Sequence, residues 1–180
     1  MKKEYLKSIL DNITSDQAVH ILKALWEKRS DLRETIVQEA ERLLEPVDSD
    51  AIAEDVFFAL DSIDVHELWD RSGSHRDGYT SPEDMAMEMV EEELVSFTDQ
   101  IMRYHNLGLR EEEKLFCMGV LQGLYRFDKE AKSEFRNWAS DVAGECFEFV
   151  LKNWQKQKGN EHFAGEMDEF IKVTCPKWAR

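Results

Sequence analysis

The chain of 180 residues is long enough for one compact domain that buries roughly two-thirds of the surface its unfolded form exposes. With 23 Lys+Arg against 38 Asp+Glu its net charge is −15, so its field repels phosphate backbones and argues against direct nucleic-acid binding. The sequence has no uninterrupted apolar run of membrane-spanning length, and Lys7, Ser8, Asp11 and Asn12 break any apolar region behind Lys2 and Lys3, so neither a membrane span nor a secretory leader is expected.

Glycine (8) and proline (3) are scarce. Apolar residues recur at three- and four-residue spacing and strand-like alternation is absent, which predicts helix almost throughout. Tyr5, Leu6, Ile9, Leu10 and Ile13 form a first apolar stripe. Thr14 and Gln17 have the spacing of a capping box and start a second helix, with Val19, Leu22, Leu25 and Trp26 on its inner face. Asp31 and Glu34 are expected to cap a third, carrying Leu32, Ile36, Ala40 and Leu43 until Pro46 stops it. Ile52, Val56, Ala59, Leu60 and Ile63 mark a fourth, and Asp64 with Glu67 starts a short fifth bearing Leu68 and Trp69. Residues 71–80 form the one extended irregular stretch. Ser81-Pro82-Glu83-Asp84 then supplies an N-cap, a proline at the first helical position and acids in the first turn. In the long sixth helix that follows, Met87, Val90, Leu94, Phe97, Ile101 and Tyr104 make a seam that suits neighbouring helices or a second copy equally, and Gly108 ends it. From Leu109 to about Phe127 the chain is apolar on more than one side, which predicts the central helix. Trp138, Val142, Cys146, Phe149, Val150 and Trp154 mark the eighth, closed by Gly159, and Phe163, Met167, Phe170 and Ile171 the ninth.

Connections of two to six residues place consecutive helices antiparallel, so the expected fold is all-α: an antiparallel bundle or irregular stack of helical hairpins, about nine helices in a single domain spanning 1–180. Gly119 and Gly123, four apart in the most apolar helix, are expected to let another backbone approach closely. Cys117, Cys146 and Cys175 are odd in number and lack zinc-ligand spacing, so they read as reduced thiols in a reducing cytoplasm, Cys117 and Cys146 as small hydrophobes in apolar helical windows. His20, His66, His105 and His162 have no partner at metal-ligand helical spacing and are expected at the surface. The acid runs Glu91-Glu92-Glu93 and Glu111-Glu112-Glu113 read as solvated helix faces. Five tryptophans and ten phenylalanines exceed what a small bundle requires; Trp178, beyond the last stripe, is expected either to be free for a partner or to fold back.

The chemistry-bearing residues gather in the loop: Asp70, Arg71, His75, Arg76, Asp77 and Tyr79 fall within ten positions between two helices. Asp70, Ser72 and Ser74 sit at positions 1, 3 and 5 of a calcium loop, but His75 stands where that loop needs glycine and Ser81 where it needs glutamate. His75 oriented by Asp70 or Asp77, with Arg71 or Arg76 holding an anion, would be an acid–base site. The favoured alternative is structural: Asp70 and Arg71 tie the loop to the helices while Gly73 and Gly78 permit turns. No phosphate-cradling glycine loop, nucleophile elbow or metal-ligand cluster occurs, so no catalytic residue, cofactor or metal is assigned.

The order Asp70-Arg71-Ser72-Gly73, Gly78-Tyr79, Ser81-Pro82-Glu83, Gly123-Leu124-Tyr125-Arg126-Phe127 and Trp138-Ala139 resembles an uncharacterised all-helical segment of prokaryotic proteins, some of which carry a SWIM-type zinc finger elsewhere in the chain. The resemblance covers about residues 50–155 and implies a shared scaffold and no activity. The finger's Cys-x-Cys and Cys-x-His are missing here, so its zinc and nucleic-acid role do not carry over. The functional expectation is therefore a cytoplasmic, non-catalytic interaction or scaffold module for a protein partner, a basic one being favoured electrostatically, with a homo-oligomer open as well. The rival is a small-ligand binder or enzyme using the 70–79 loop.

Overall fold

The computed structural model describes residues 12–43, 46–75 and 78–179, and the side chains of all of these but 41–43 and 75. Among them are eight α-helices and one two-stranded antiparallel hairpin, an all-α fold. The apolar stripe from Tyr5 to Leu10 lies outside the described residues. The chain divides into two compact units, residues 1–46 and 47–180.

In the first unit, α1 (Ser15–Lys28) begins at the expected capping box: the Gln17 N–H donates to Thr14 Oγ1 at 3.3 Å and the Thr14 N–H to Gln17 Oε1 at 3.0 Å. Asp31 does not cap the next helix. Arg29 holds its carboxylate through two N–H donors at 2.9 and 2.7 Å, a charge-assisted fork that outcompetes a backbone amide, and α2 (Arg33–Leu43) starts after a 3₁₀ turn at Ser30–Leu32. The two helices pack together, leaving Ala18, Leu25, Leu32 and Ile36 half-buried.

The second unit starts with α3 (Ser49–Asp61), whose cap Asp48 accepts from the Asp50 and Ala51 N–H groups, and α4 (Val65–Arg71), whose cap Asp64 accepts from the His66 N–H at 2.8 Å. The stretch read as irregular is a hairpin: β1 (Gly73–His75) pairs with β2 (Gly78–Thr80) in the register Gly73↔Thr80, Ser74↔Tyr79, His75↔Gly78. Arms of three residues are too short for alternation to register in the sequence, and Gly73 (φ +100°) and Gly78 (φ +144°) supply backbone angles that side chains disfavour.

Ser81 caps the long helix α5 (Pro82–Leu107), which Gly108 closes at φ +76°. Its seam faces its own unit: Val90, Leu94 and Ile101 are buried, and Met87, Phe97 and Tyr104 pack against the same core. The two-residue connection brings α6 (Arg110–Glu130) back onto α5. As expected, α6 is central, packing against α3, α5, α7 (Val142–Lys156) and α8 (Ala164–Thr174). Gly119 and Gly123 form its contact with α3, lying beneath Ile52 and Val56. Trp178 folds back, its ring 5.2 Å from Tyr125 and 4.9 Å from Phe147. All three cysteines are buried, and burial pushes the Cys146 and Cys175 thiols up to about 12, leaving them inert at neutral pH. No helix among the described residues is long and apolar enough to cross a membrane.

Two surface expectations need correction. Glu113, third in its acid run, is fully buried, and His105 has a side chain only 15% exposed beside it. Arg110 Nη1 donates to Glu113 Oε2 at 2.8 Å, Asn160 Nδ2 donates to Oε1 at 2.5 Å, and His105 Nδ1 lies 3.1–3.2 Å from both oxygens. Elsewhere on α6, buried Lys114 donates to Glu166 of α8 at 2.5 Å, while buried Asp128 accepts from Lys177 at 2.7 Å and Arg136 at 3.3 Å. Three buried ionisable groups on one helix thus each reach a segment far along the chain, where a partner compensates their desolvation.

Candidate functional site

The α4–hairpin–α5 region contains the residues singled out by sequence. Asp70 is exposed near the end of α4, and Tyr79 is 69% exposed on β2. Arg76, Asp77 and the side chain of His75 lie outside the described residues. Arg71, the last residue of α4, is brought against two acids the sequence reading did not connect with it. Nη1 and Nη2 donate to the two carboxylate oxygens of Glu92 on α5, each at 2.7 Å, and Nη1 lies 3.4 Å from Glu67. The Glu92 hydrogen bonds hold the guanidinium more firmly protonated than usual and the Glu92 carboxyl below its ordinary range. Arg71 therefore clamps the hairpin's leading edge to α5. Arg71→Ala is expected to lower stability by about 1 kcal/mol, a drop of about 2–4 °C in Tm, since the pair is bidentate yet partly solvated. An unchanged Tm would remove this anchoring role. Among the described residues, no three His, Cys, Asp or Glu side chains stand close enough to hold a metal ion.

A concavity lies elsewhere in the second unit. A groove of about 880 Å³ runs between α7, α8 and the C-terminal segment. Leu151, Ile171 and Trp178 give it an apolar floor, while Asp141, Glu145, Glu148 and Asp168 line its walls. Lys152, Lys172 and Lys177 also line it; the Lys152 ammonium donates to Glu148 at 2.8 Å and that of Lys177 to Asp128 at 2.7 Å. A second hollow of about 320 Å³ lies between α5 and α7, bordered by Thr98, Asp99, Met102, Asn153 and Gln157. Phe149 of α7 borders both hollows and is 62% exposed, with Val95 (54%) and Met102 (39%) on the adjoining stripe of α5.

The sequence reading placed Phe149 on the eighth helix with no exposed role. Its position on the helical wheel is the available signal: it falls at the margin of the arc that buries Ala143, Cys146, Phe147, Val150 and Trp154. The groove itself had no sequence signal, because its walls come from two helices and the chain end. Compared with protein-family models, with curated proteins and with solved structures, the chain matches none.

Proposed function

We propose that residues 47–180 are a non-catalytic interaction module that receives a basic protein partner on the α5–α7–α8 face, with Phe149 as the central contact. The supporting observation is Phe149 itself: a largely exposed aromatic ring on a ridge between two hollows, the kind of residue that dominates association energies when a partner covers it. The unit has 15 Lys+Arg against 29 Asp+Glu, so positive partners are steered to it. The resemblance to the helical segment of prokaryotic proteins enters this reading as a shared scaffold only. A reducing, cytoplasmic setting belongs to the same reading, supported by three buried free thiols.

A leucine–lysine amphipathic helical peptide is a suitable probe. Its affinity should fall by about tenfold between low and physiological salt, as surface charges are screened. Phe149→Ala should weaken binding by about tenfold at either salt, whereas Phe58→Ala, which truncates an exposed ring on α3, should leave it unchanged. Salt-insensitive binding, or equal losses from the two variants, contradicts the proposal.

A further inference from the structure

We infer that the α1–α2 hairpin is a self-association element that pairs with the hairpin of a second copy of this chain, α1 against α1 in antiparallel sense. The first observation is what the hairpin lacks. Not one described side chain of this unit is buried, and helices of 14 and 11 residues are too short to be stable in water without a packed face.

The second is what it presents. Val19 (48%), Leu22 (49%) and Trp26 (43%) form one open stripe along α1, at the three- and four-residue spacing of a packing seam. Trp26 is already held in place. Arg33 donates to its carbonyl oxygen at 2.9 Å and stacks its guanidinium 5.4 Å from the ring centroid, so the aromatic anchor loses little freedom on association.

A second copy fits this stripe for reasons of charge and symmetry. The unit 1–46 has 8 Lys+Arg against 9 Asp+Glu, whereas the rest of the chain has 15 against 29. Two hairpins can therefore meet without the like-charge repulsion that opposes pairing of the acidic units. An antiparallel pair of α1 helices also opposes the two helix dipoles. The stripe is nearly symmetric about Leu22: Val19 would face Trp26 of the partner subunit, small against large, with Leu22 close to the two-fold axis. Helices about 21 Å long meeting in this way bury on the order of 1,000 Å², the lower end of the range for specific interfaces and suited to a reversible dimer.

Sedimentation velocity of the full chain between about 1 and about 200 µM tests this. The expected result is a concentration-dependent shift from 21.1 kDa to twice that mass. Leu22→Asp and Trp26→Asp should each weaken dimerisation by about tenfold or more while leaving the cooperative thermal transition of the chain in place. His20→Ala, on the polar side of α1, and Phe149→Ala, on the acidic unit, should leave it intact. A chain that stays monomeric throughout overturns the inference, and so does a dimer that survives Leu22→Asp and Trp26→Asp or is lost with Phe149→Ala.

Discussion

Gly123→Ala is expected to lower the melting temperature by about 4–10 °C, which corresponds to about 2–3 kcal/mol in a domain of this size. A Cβ at position 123 would stand 2.6 Å from Val56 Cβ and 2.8 Å from the Ala53 carbonyl oxygen; at position 119 it would stand 2.7 Å from both Ile52 Cβ and the Ser49 carbonyl oxygen. Those distances lie inside van der Waals contact, and two of the four opposing atoms are backbone. Relief therefore requires α3 to move away from α6 and its neighbours to lose contact, and the gain of up to about 1 kcal/mol in helix propensity does not offset this. Because both glycines serve one interface, the double substitution is expected to depart from additivity. Gly165→Ala provides the opposite sign: nothing lies within 4 Å of its added Cβ in α8, so the propensity gain stands alone and stability should rise by a few tenths of a kcal/mol. Thermal denaturation followed by circular dichroism reads all of these. A Gly123→Ala protein as stable as the parent would contradict the close α3–α6 contact.

Glu113→Ala is expected to cost about 3–5 kcal/mol. The carboxylate is fully buried and is the shared acceptor of Arg110 and Asn160, with His105 beside it. Its loss leaves one hydrogen of the buried Asn160 amide, whose other donates to the Trp154 carbonyl, and a partly buried guanidinium without this acceptor, and breaking a buried charge cluster from one side is more damaging than replacing it whole. Glu113→Gln preserves the volume but turns one acceptor into a donor facing other donors, so an intermediate loss is expected. Glu112→Ala, one position earlier in the same acid run, should change stability by no more than about 0.5 kcal/mol. Equilibrium urea denaturation distinguishes these outcomes; equal effects at 112 and 113 would mean that Glu113 is solvated.

The contrast between these two sites shows what the sequence discloses. Gly119 and Gly123 were readable because the signal is local: two residues without a side chain, one helical turn apart, inside an apolar helix. The Thr14–Gln17 box and the Ser81–Pro82 start were readable for the same reason, since cap and partner lie three residues apart. Glu113 was misread because its satisfaction comes from Asn160, 47 positions later, and no local pattern carries that information. A hint was present even so: Glu113 precedes Cys117 by four and Val120 by seven, so it continues the core stripe of α6, where a solvated acid has no place. Asp31 failed for a different reason. Its N-cap spacing was sound, but the neighbouring Arg29 offered a stronger partner than the helix amides.

At the candidate site the same division holds. The tie between the 71–80 segment and the helices was foreseeable in kind, since a loop rich in acids and arginines tends to bind itself down; that Glu92 would receive Arg71 followed only from packing α4 against α5. The ridge at Phe149 is a property of three assembled elements, and no short window of sequence contains it.

The proposed interaction face is tested most directly by hydrogen–deuterium exchange on the full chain, with and without the leucine–lysine helical peptide at low salt. Slowed exchange along α7 and α8 around Phe149, with the 73–80 hairpin unchanged, is the predicted result. Protection confined to the hairpin, or none on α7 and α8 at saturating peptide, would contradict it.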